Sequence, residues 1–170
     1  KIGKLPTLKS LLDDFGAHLT CVTYDLTKRA PEFLSPDTHP DLPCLTAIRM
    51  SSGVPFLFES YRYGTSQYID GGTVNNFPID QFKDDGVPTL AICISPHTPP
   101  SKRLEDQEFN LITYSLEVIN AACRCDTAHK IEKARVMQGV HLVQLQNVGI
   151  EVFQFTFDTP QKLDLFSKGY

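Results

Sequence analysis

An aspartate followed at once by two glycines is the pattern in this chain with the clearest capacity for acid–base chemistry. Residues 67–80 read QYIDGGTVNNFPID, and Asp70 ends a short apolar strand pattern before Gly71 and Gly72. Active groups of α/β proteins collect at the ends of strands, and glycines allow unusual backbone angles and close approach of another segment. The same letters, including the two asparagines, are also typical of an ordinary turn. This stretch alone therefore leaves the choice between a turn and a working site open.

Other signatures of catalysis or cofactor binding are missing from the sequence. There is no G-x-S-x-G, no P-loop, no G-x-G-x-x-G and no H-E-x-x-H, and the five histidines are far apart in the chain. Cys123 and Cys125 form a C-x-C pair near His129, but zinc sites use four ligands in recognisable pairs. We therefore expect neither a metal nor a cofactor.

The composition limits the classes of protein to which the chain can belong. Its 170 residues are 41% hydrophobic and carry a net charge of -4, which fits a single compact domain and argues against a nucleic-acid partner. No apolar run approaches the ~18 residues that span a bilayer. Five cysteines at irregular spacing do not resemble a disulfide framework. We predict reduced thiols, with Cys21 and Cys93 in the core, and a cytoplasmic location.

The elements that would position Asp70 follow from hydrophobic periodicity and capping signals. Helices are predicted over 7–15, 44–54, 79–86 (about two turns), 103–135 and 159–169. Strands are predicted over 18–27, 66–70, 87–95, 140–146 and 152–157. The continuous apolar run 87–95 is typical of a strand buried on both faces, and the proline-rich stretch 31–43 is predicted to be a surface loop. Helices and strands thus alternate, which predicts an α/β layered fold.

Two blocks taken together resemble a known family. LTAIRMSSGVPFLFES followed by QYIDGGTVNNFPID resembles the patatin-like phospholipases, in which an A-x-R-x-S-x-x-x-P helix precedes a short strand and D-G-[GA]-x-x-N-N-x-P. Ten positions within 32 residues match: Ala47, Arg49, Ser51, Pro55, Asp70, Gly71, Gly72, Asn75, Asn76 and Pro78. The segments before and after these blocks fit more loosely, so the resemblance covers nearly the whole chain.

The resemblance implies a layered patatin-like α/β fold with a central mixed sheet between helices. Residues 1–170 would form one partial domain, its downstream portion, because the family's G-x-S-x-G and glycine-rich oxyanion loop lie upstream of these blocks. We therefore expect the missing N-terminal portion of the same domain to be a partner of this chain. The chain also lacks an initiator Met.

The implied activity is hydrolysis of a phospholipid or other acyl-ester lipid by a serine–aspartate dyad, with transient contact to a membrane surface. Asp70 takes the role of the base, and burial beside Tyr68 and Ile69 is predicted to raise its pKa. Arg49, Ser51 and Pro55, with the glycines and asparagines of the second block, would support the site structurally. Ser51 and Ser52 are not expected to be the nucleophile; Ser51 is expected to bond nearby backbone.

One alternative interpretation stays open at this point. The chain could be a catalytically inactive remnant of the fold that binds lipid or a protein partner, since no nucleophile is recognisable in it. A partial fold should also expose sheet edges and apolar surface where neighbouring strands belonged.

Overall fold

The computed structural model describes residues 5–82, 86–97, 111–148 and 156–168. The chain has an α/β fold, as predicted, and it divides into two compact units, Lys1–Gln81 with Phe109–Ile131 and Phe82–Glu108 with Glu132–Tyr170. The first part of the predicted helix 103–135 and most of the predicted strand 152–157 lie outside the described residues. That residues 1–170 form one partial domain stays a prediction.

Helices and strands alternate along the described residues. The helices are α1 (Leu8–Phe15), α2 (Cys44–Ser51), α3 (Leu111–Val136) and α4 (Thr159–Lys168). The strands are β1 (Cys21–Asp25), β2 (Ala30–Leu34), β3 (Tyr61–Tyr63), β4 (Ser66–Asp70), β5 (Thr89–His97) and β6 (Val140–Val148). Two short 3₁₀ turns cover Gly71–Thr73 and Ile79–Gln81.

The first unit contains a four-stranded antiparallel sheet in the order β2-β1-β4-β3. Alternate residues of β1, namely Cys21, Thr23 and Asp25, are buried, and Thr23 lies opposite Asp70 in the pairing of β1 with β4. The Thr23 hydroxyl donates to the Ile69 carbonyl at 2.7 Å. A buried side chain of β1 thus contacts the backbone of β4 immediately before Asp70.

A small hydrophobic core supports this sheet. Its most deeply buried members are Leu8, Leu34, Leu42, Ala47 and Met50. The last two belong to α2, which packs against β1 and β4. At the other end of the core, α1 begins with the predicted cap, since Thr7 Oγ1 accepts the Ser10 N–H at 3.1 Å.

One sequence-based prediction is wrong in this unit, and the described residues support a second only in part. The stretch 31–43 is not wholly a loop, because β2 occupies its first residues and Pro31 pairs with Tyr24; β2 is an edge strand, where a residue without an N–H is tolerated. Of the stretch 79–86, predicted as about two helical turns, the described residues show a single 3₁₀ turn at Ile79–Gln81, and residues 83–85 lie outside the described residues. Ile79 and the preceding Phe77 are both buried and lie two residues apart, a spacing that does not fit an α-helical face.

The second unit contains the parallel pair β5 and β6, in register from Thr89 opposite Val140 to His97 opposite Val148. The prediction that this strand is buried on both faces is wrong, because burial alternates along β5. Ala91 and Cys93 are buried, whereas the next positions are exposed: Leu90, Ile92 and Ile94. Only one face of β5 is therefore covered by described residues.

Asp25 is a fully buried carboxylate at the end of β1. It accepts hydrogen bonds from the backbone N–H groups of Thr27 at 2.8 Å and Lys28 at 3.1 Å, which form the turn into β2. Burial acts to raise the pKa of Asp25, but hydrogen bonds from Ser66, Lys28 and Thr27 outweigh burial and lower the pKa. The ionised form of Asp25 therefore stabilises the folded protein.

We predict that Asp25→Ala lowers the free energy of unfolding at pH 7 and that the difference from wild type shrinks in acid. Because the folded pKa is lowered, the contribution is complete above the unfolded aspartate pKa of about 3.9 and is lost as the pH falls through the folded value. Urea unfolding at pH 7 and at about pH 3 measures both quantities. The control is Asp37→Ala, which removes only an exposed ion pair with His18; a constant difference at all pH values would contradict the prediction.

Candidate active site

Asp70 is the last residue of β4, as predicted, and it also caps the turn that follows. Its backbone N–H donates to the Gly53 carbonyl at 3.0 Å, which ties the end of β4 to the residues after α2. Its side-chain Oδ1 accepts the Gly72 N–H at 2.6 Å. A carboxylate that bonds a backbone N–H two residues ahead is held in a fixed direction.

The electrostatic environment of Asp70 favours its protonated form more than water does. Burial raises the pKa of the Asp70 carboxyl, and the hydrogen bond from the Gly72 N–H opposes this only in part; the predicted rise in pKa is confirmed. Within the described residues the carboxylate accepts no further hydrogen bond, and no histidine contacts it. The Asp70 carboxylate thus combines a raised pKa with capacity to accept a proton.

Gly71 and Gly72 are needed for space rather than for unusual backbone angles, since neither has a positive φ. A Cβ on Gly71 would collide with the backbone carbonyl of Val22 and the nitrogen of Thr23 on β1. A Cβ on Gly72 would lie 2.9 Å from both Asp70 Oδ1 and Asn76 Oδ1. Gly71 therefore leaves space for the neighbouring strand β1, and Gly72 leaves space for the carboxylate of Asp70.

The two asparagines of the second block have different environments. Asn75 closes the turn through its N–H, which donates to the Gly71 carbonyl at 2.8 Å, while its side-chain Oδ1 accepts from Lys130 on α3 at 2.8 Å. Asn76 is exposed and places its Oδ1 beside Gly72. The Asn75 side chain thus bonds a distant helix instead of the nearby backbone that the turn interpretation favours.

Two residues of α3 contact this turn, and neither was predicted from the sequence to belong to the site. The Cys123 thiol donates to the carbonyls of Gly72 and Thr73, each at 3.1 Å. Lys130, whose side chain is 12% exposed, contacts Asn75 and also Asp126 at 2.7 Å. The sequence placed Cys123 in an apolar helical stripe and Lys130 in a broken basic stretch, and no local pattern links either to a turn 50 or more residues upstream.

The residues of the first block support the segment between α2 and β3. Arg49 donates to the Glu59 carbonyl at 3.2 Å and lies over the Phe58 ring at 5.4 Å from its centroid. Pro55 lies in the turn closed by the Phe58 N–H and the Val54 carbonyl at 3.0 Å. This turn follows Gly53, the residue whose carbonyl accepts the Asp70 N–H.

Ser51 ends α2 and is half-buried, and Ser52 is exposed. The Ser51 hydroxyl forms no hydrogen bond to any described residue, so the expected bond to nearby backbone is not observed. Neither serine hydrogen-bonds Asp70 in the described part of the chain. The structure therefore brings Asp70 together with the glycines and Asn75, but not with a serine.

The described ranges contain neither a cluster of metal ligands nor a helix that could span a membrane. No group of three or more His, Cys, Asp and Glu side chains in those ranges could hold a metal ion. Over the same ranges, no helix combines the length and apolar character that a membrane span requires. No disulfide joins the five cysteines, all of which lie in the described ranges, and Cys21 and Cys93 are buried as predicted.

Comparison with known proteins gives a family match over the segment that contains α2 and the Asp70 turn, and partial similarity to two relatives. Residues 3–83 match the family model of the patatin-like phospholipases. Probable lipid hydrolase 463L of Invertebrate iridescent virus 6 is 32% identical over 80 residues, 47% of this chain and 28% of that protein. YqhO of Bacillus subtilis (strain 168) is 36% identical over 64 residues, 34% of this chain and 22% of that protein. The chain thus spans less than a third of the length of either relative, and the similarity to the patatin-like family is limited to residues 3–83.

We predict that alanine at the two glycines has different consequences. Gly71→Ala forces its methyl group into the backbone of β1 and should lower the free energy of unfolding by roughly 1–3 kcal/mol, the usual cost of overpacking. Gly72→Ala meets only the side-chain oxygens of Asp70 and Asn76, which can rotate away, and should destabilise less. Urea unfolding of both variants provides the comparison; a larger loss for Gly72→Ala would contradict the geometry.

Proposed function

We propose that the complete protein is a lipid acyl hydrolase in which Asp70 is the base of a serine–aspartate dyad. The observation that carries the proposal is the state of the Asp70 carboxyl: strand-terminal, half-buried, raised in pKa and bonded only by the Gly72 N–H among described residues. A base whose pKa lies closer to neutrality than that of a free aspartate transfers protons more effectively near neutral pH. The family match and the viral relative described as a probable lipid hydrolase support the same activity.

The proposed reaction has two steps that share one base. In the first, a serine oxygen attacks the carbonyl carbon of the lipid ester while Asp70 takes the serine proton. Collapse of the tetrahedral intermediate breaks the ester C–O bond, and the leaving alkoxide receives the proton from Asp70. In the second, water attacks the acyl carbon while Asp70 accepts a proton from that water; the bond between the acyl carbon and the serine oxygen then breaks, Asp70 returns the proton to the serine oxygen, and the fatty acid is released.

The nucleophile and the oxyanion donors are proposed to lie outside this chain. In the described residues no serine hydroxyl hydrogen-bonds Asp70, which agrees with a serine in a G-x-S-x-G of the N-terminal portion and with backbone donors in a glycine-rich loop. The substrate would be a phospholipid or another acyl-ester lipid. A cytoplasmic location with peripheral contact to a membrane surface is part of the same proposal.

A second candidate function is a catalytically inactive module that binds lipid or a protein partner. The observation in its favour is the exposed apolar face of β5, formed by Leu90, Ile92 and Ile94. Apolar surface of this kind usually meets another surface. A binding module, unlike a hydrolase, would show no turnover of lipid esters and no reaction with serine-directed phosphonates.

We predict that Asp70→Asn in the complete protein lowers kcat for lipid-ester hydrolysis by roughly 10²–10⁴-fold, the usual contribution of a general base. The amide keeps the size of the side chain and its acceptor oxygen for the Gly72 N–H, so the fold should persist. Steady-state hydrolysis and the rate of labelling by a fluorophosphonate probe measure the change, and circular dichroism checks the fold.

The matched control for this experiment is Asp37→Asn, at an exposed carboxylate distant in sequence from the site. It should retain wild-type turnover and labelling. Substantial turnover by Asp70→Asn would remove Asp70 from the mechanism. Failure of the wild-type protein to hydrolyse lipid esters or to label would favour the binding module.

A further inference from the structure

One face of α3 contacts the turn that follows Asp70 at two separate points. Cys123, Asp126 and Lys130 are three and four residues apart and therefore lie on the same side of the helix. Cys123 contacts the beginning of the turn at Gly72 and Thr73. Lys130 contacts its later part at Asn75. The helix thus contacts the turn on either side of Val74.

The environment of Lys130 is that of a fixed structural cation rather than a surface lysine. Its ammonium lies 2.8 Å from Asn75 Oδ1, 2.7 Å from Asp126 Oδ2 and 3.6 Å from Asp80 Oδ2, with 12% of the side chain exposed. An ammonium has three N–H donors, and three oxygens lie around this one. Removing this largely buried cation would take a close partner from both Asn75 and Asp126, so the ammonium ties the turn to α3.

Cys123 acts on the residue that directs the candidate base. The Gly72 N–H donates to Asp70 Oδ1, and the Gly72 carbonyl accepts from the Cys123 thiol. Burial raises the pKa of the Cys123 thiol, with further contributions from Asp126 and Asp70, so the sulfur keeps the proton it donates. Gly72 is consequently held from α3 on one side while it orients Asp70 on the other.

We propose that Lys130 and Cys123 are positioning residues for the reaction at Asp70: they fix the Gly72–Asn75 turn from α3 and thereby hold the Asp70 carboxylate in the direction needed for proton transfer. The inference rests on the proposed function, since it assigns residues that serve the same base. Neither side chain has to touch the substrate. Their loss should therefore lower kcat and leave KM nearly unchanged, because catalysis is sensitive to displacements of about 1 Å in a reacting group.

The first test compares Lys130→Met with Arg124→Met in the complete protein. Lys130→Met keeps the length of the side chain and removes the three contacts, and we expect kcat to fall by about 10-fold or more with KM within about 2-fold. Arg124→Met removes a cation from the same helix whose partner is the exposed Glu117 at 3.0 Å, and it should retain wild-type kcat. Equal kcat values for the two folded variants would overturn the role of Lys130.

The second test compares Cys123 with Cys125. Its substitutions are smaller, so the positioning role can still be tested if Lys130→Met does not fold. Cys123→Ala removes the donor to Gly72 and should lower kcat, whereas Cys123→Ser keeps a donor and should recover much of it. Cys125→Ala alters an exposed thiol and should have no effect. Equal loss of kcat in the alanine and serine variants would show a packing role and overturn the positioning role.

Amide hydrogen exchange separates failure of this inference from failure of the proposed function. The N–H groups of Gly72, Val74 and Asn75 are all bonded within the turn, and they should exchange faster in Lys130→Met than in Arg124→Met. If the wild-type protein hydrolysed no lipid ester, the proposed function would be rejected. The catalytic role of Lys130 and Cys123 would then be rejected with it. If these N–H groups exchanged at the wild-type rate in Lys130→Met, Lys130 would not stabilise the Gly72–Asn75 turn, and the inference would be overturned whether or not the protein is active.

Discussion

The close approach of the Gly71 backbone to β1 is the constraint on which the rest of the site depends. Because Gly71 has no side chain, the chain leaving β4 passes directly against the carbonyl of Val22. Asp70 can then stay paired opposite Thr23 while the next residues turn away from the sheet. The Gly72 N–H is thereby brought back to the Asp70 carboxylate. A side chain at Gly71 would separate the strand from the turn and remove the geometry that directs the base.

Burial and hydrogen bonding have opposite outcomes at two carboxylates of this sheet, the fully buried Asp25 and the half-buried Asp70. At Asp25, several donors outweigh burial and lower the pKa, as expected for a structural carboxylate that stays ionised. At Asp70, one backbone donor does not compensate for burial, and the pKa is raised. Residues whose environments push their pKa values apart are candidates for different roles. The same sheet thus supplies one carboxylate suited to stability and one suited to proton transfer.

The local parts of this arrangement could be predicted from the sequence. The strand before Asp70 and the turn after it follow from a few adjacent residues, whereas the need for Gly71 comes from the backbone of β1 and the rise in the pKa of Asp70 comes from its burial in the fold. The contacts of Cys123 and Lys130 could not be predicted, because they join positions 50 to 55 residues apart and depend on where α3 lies. The strand β2 was not predicted because the prolines of residues 31–43 indicated a loop; Pro31 is acceptable there only because β2 lies at the edge of the sheet. The exposed face of β5 could not be predicted either, because it depends on which residues cover the strand rather than on the sequence of the strand itself.

The central claim is that the Asp70 carboxylate takes a proton from a serine. The most direct measurement is a crystal structure of the complete protein with a lipid phosphonate bound to its reactive serine. We predict an Asp70 carboxylate oxygen within about 2.6–3.2 Å of that serine oxygen, the distance required for direct proton transfer. A reactive serine that lies beyond reach of Asp70 and beside another base would contradict the account.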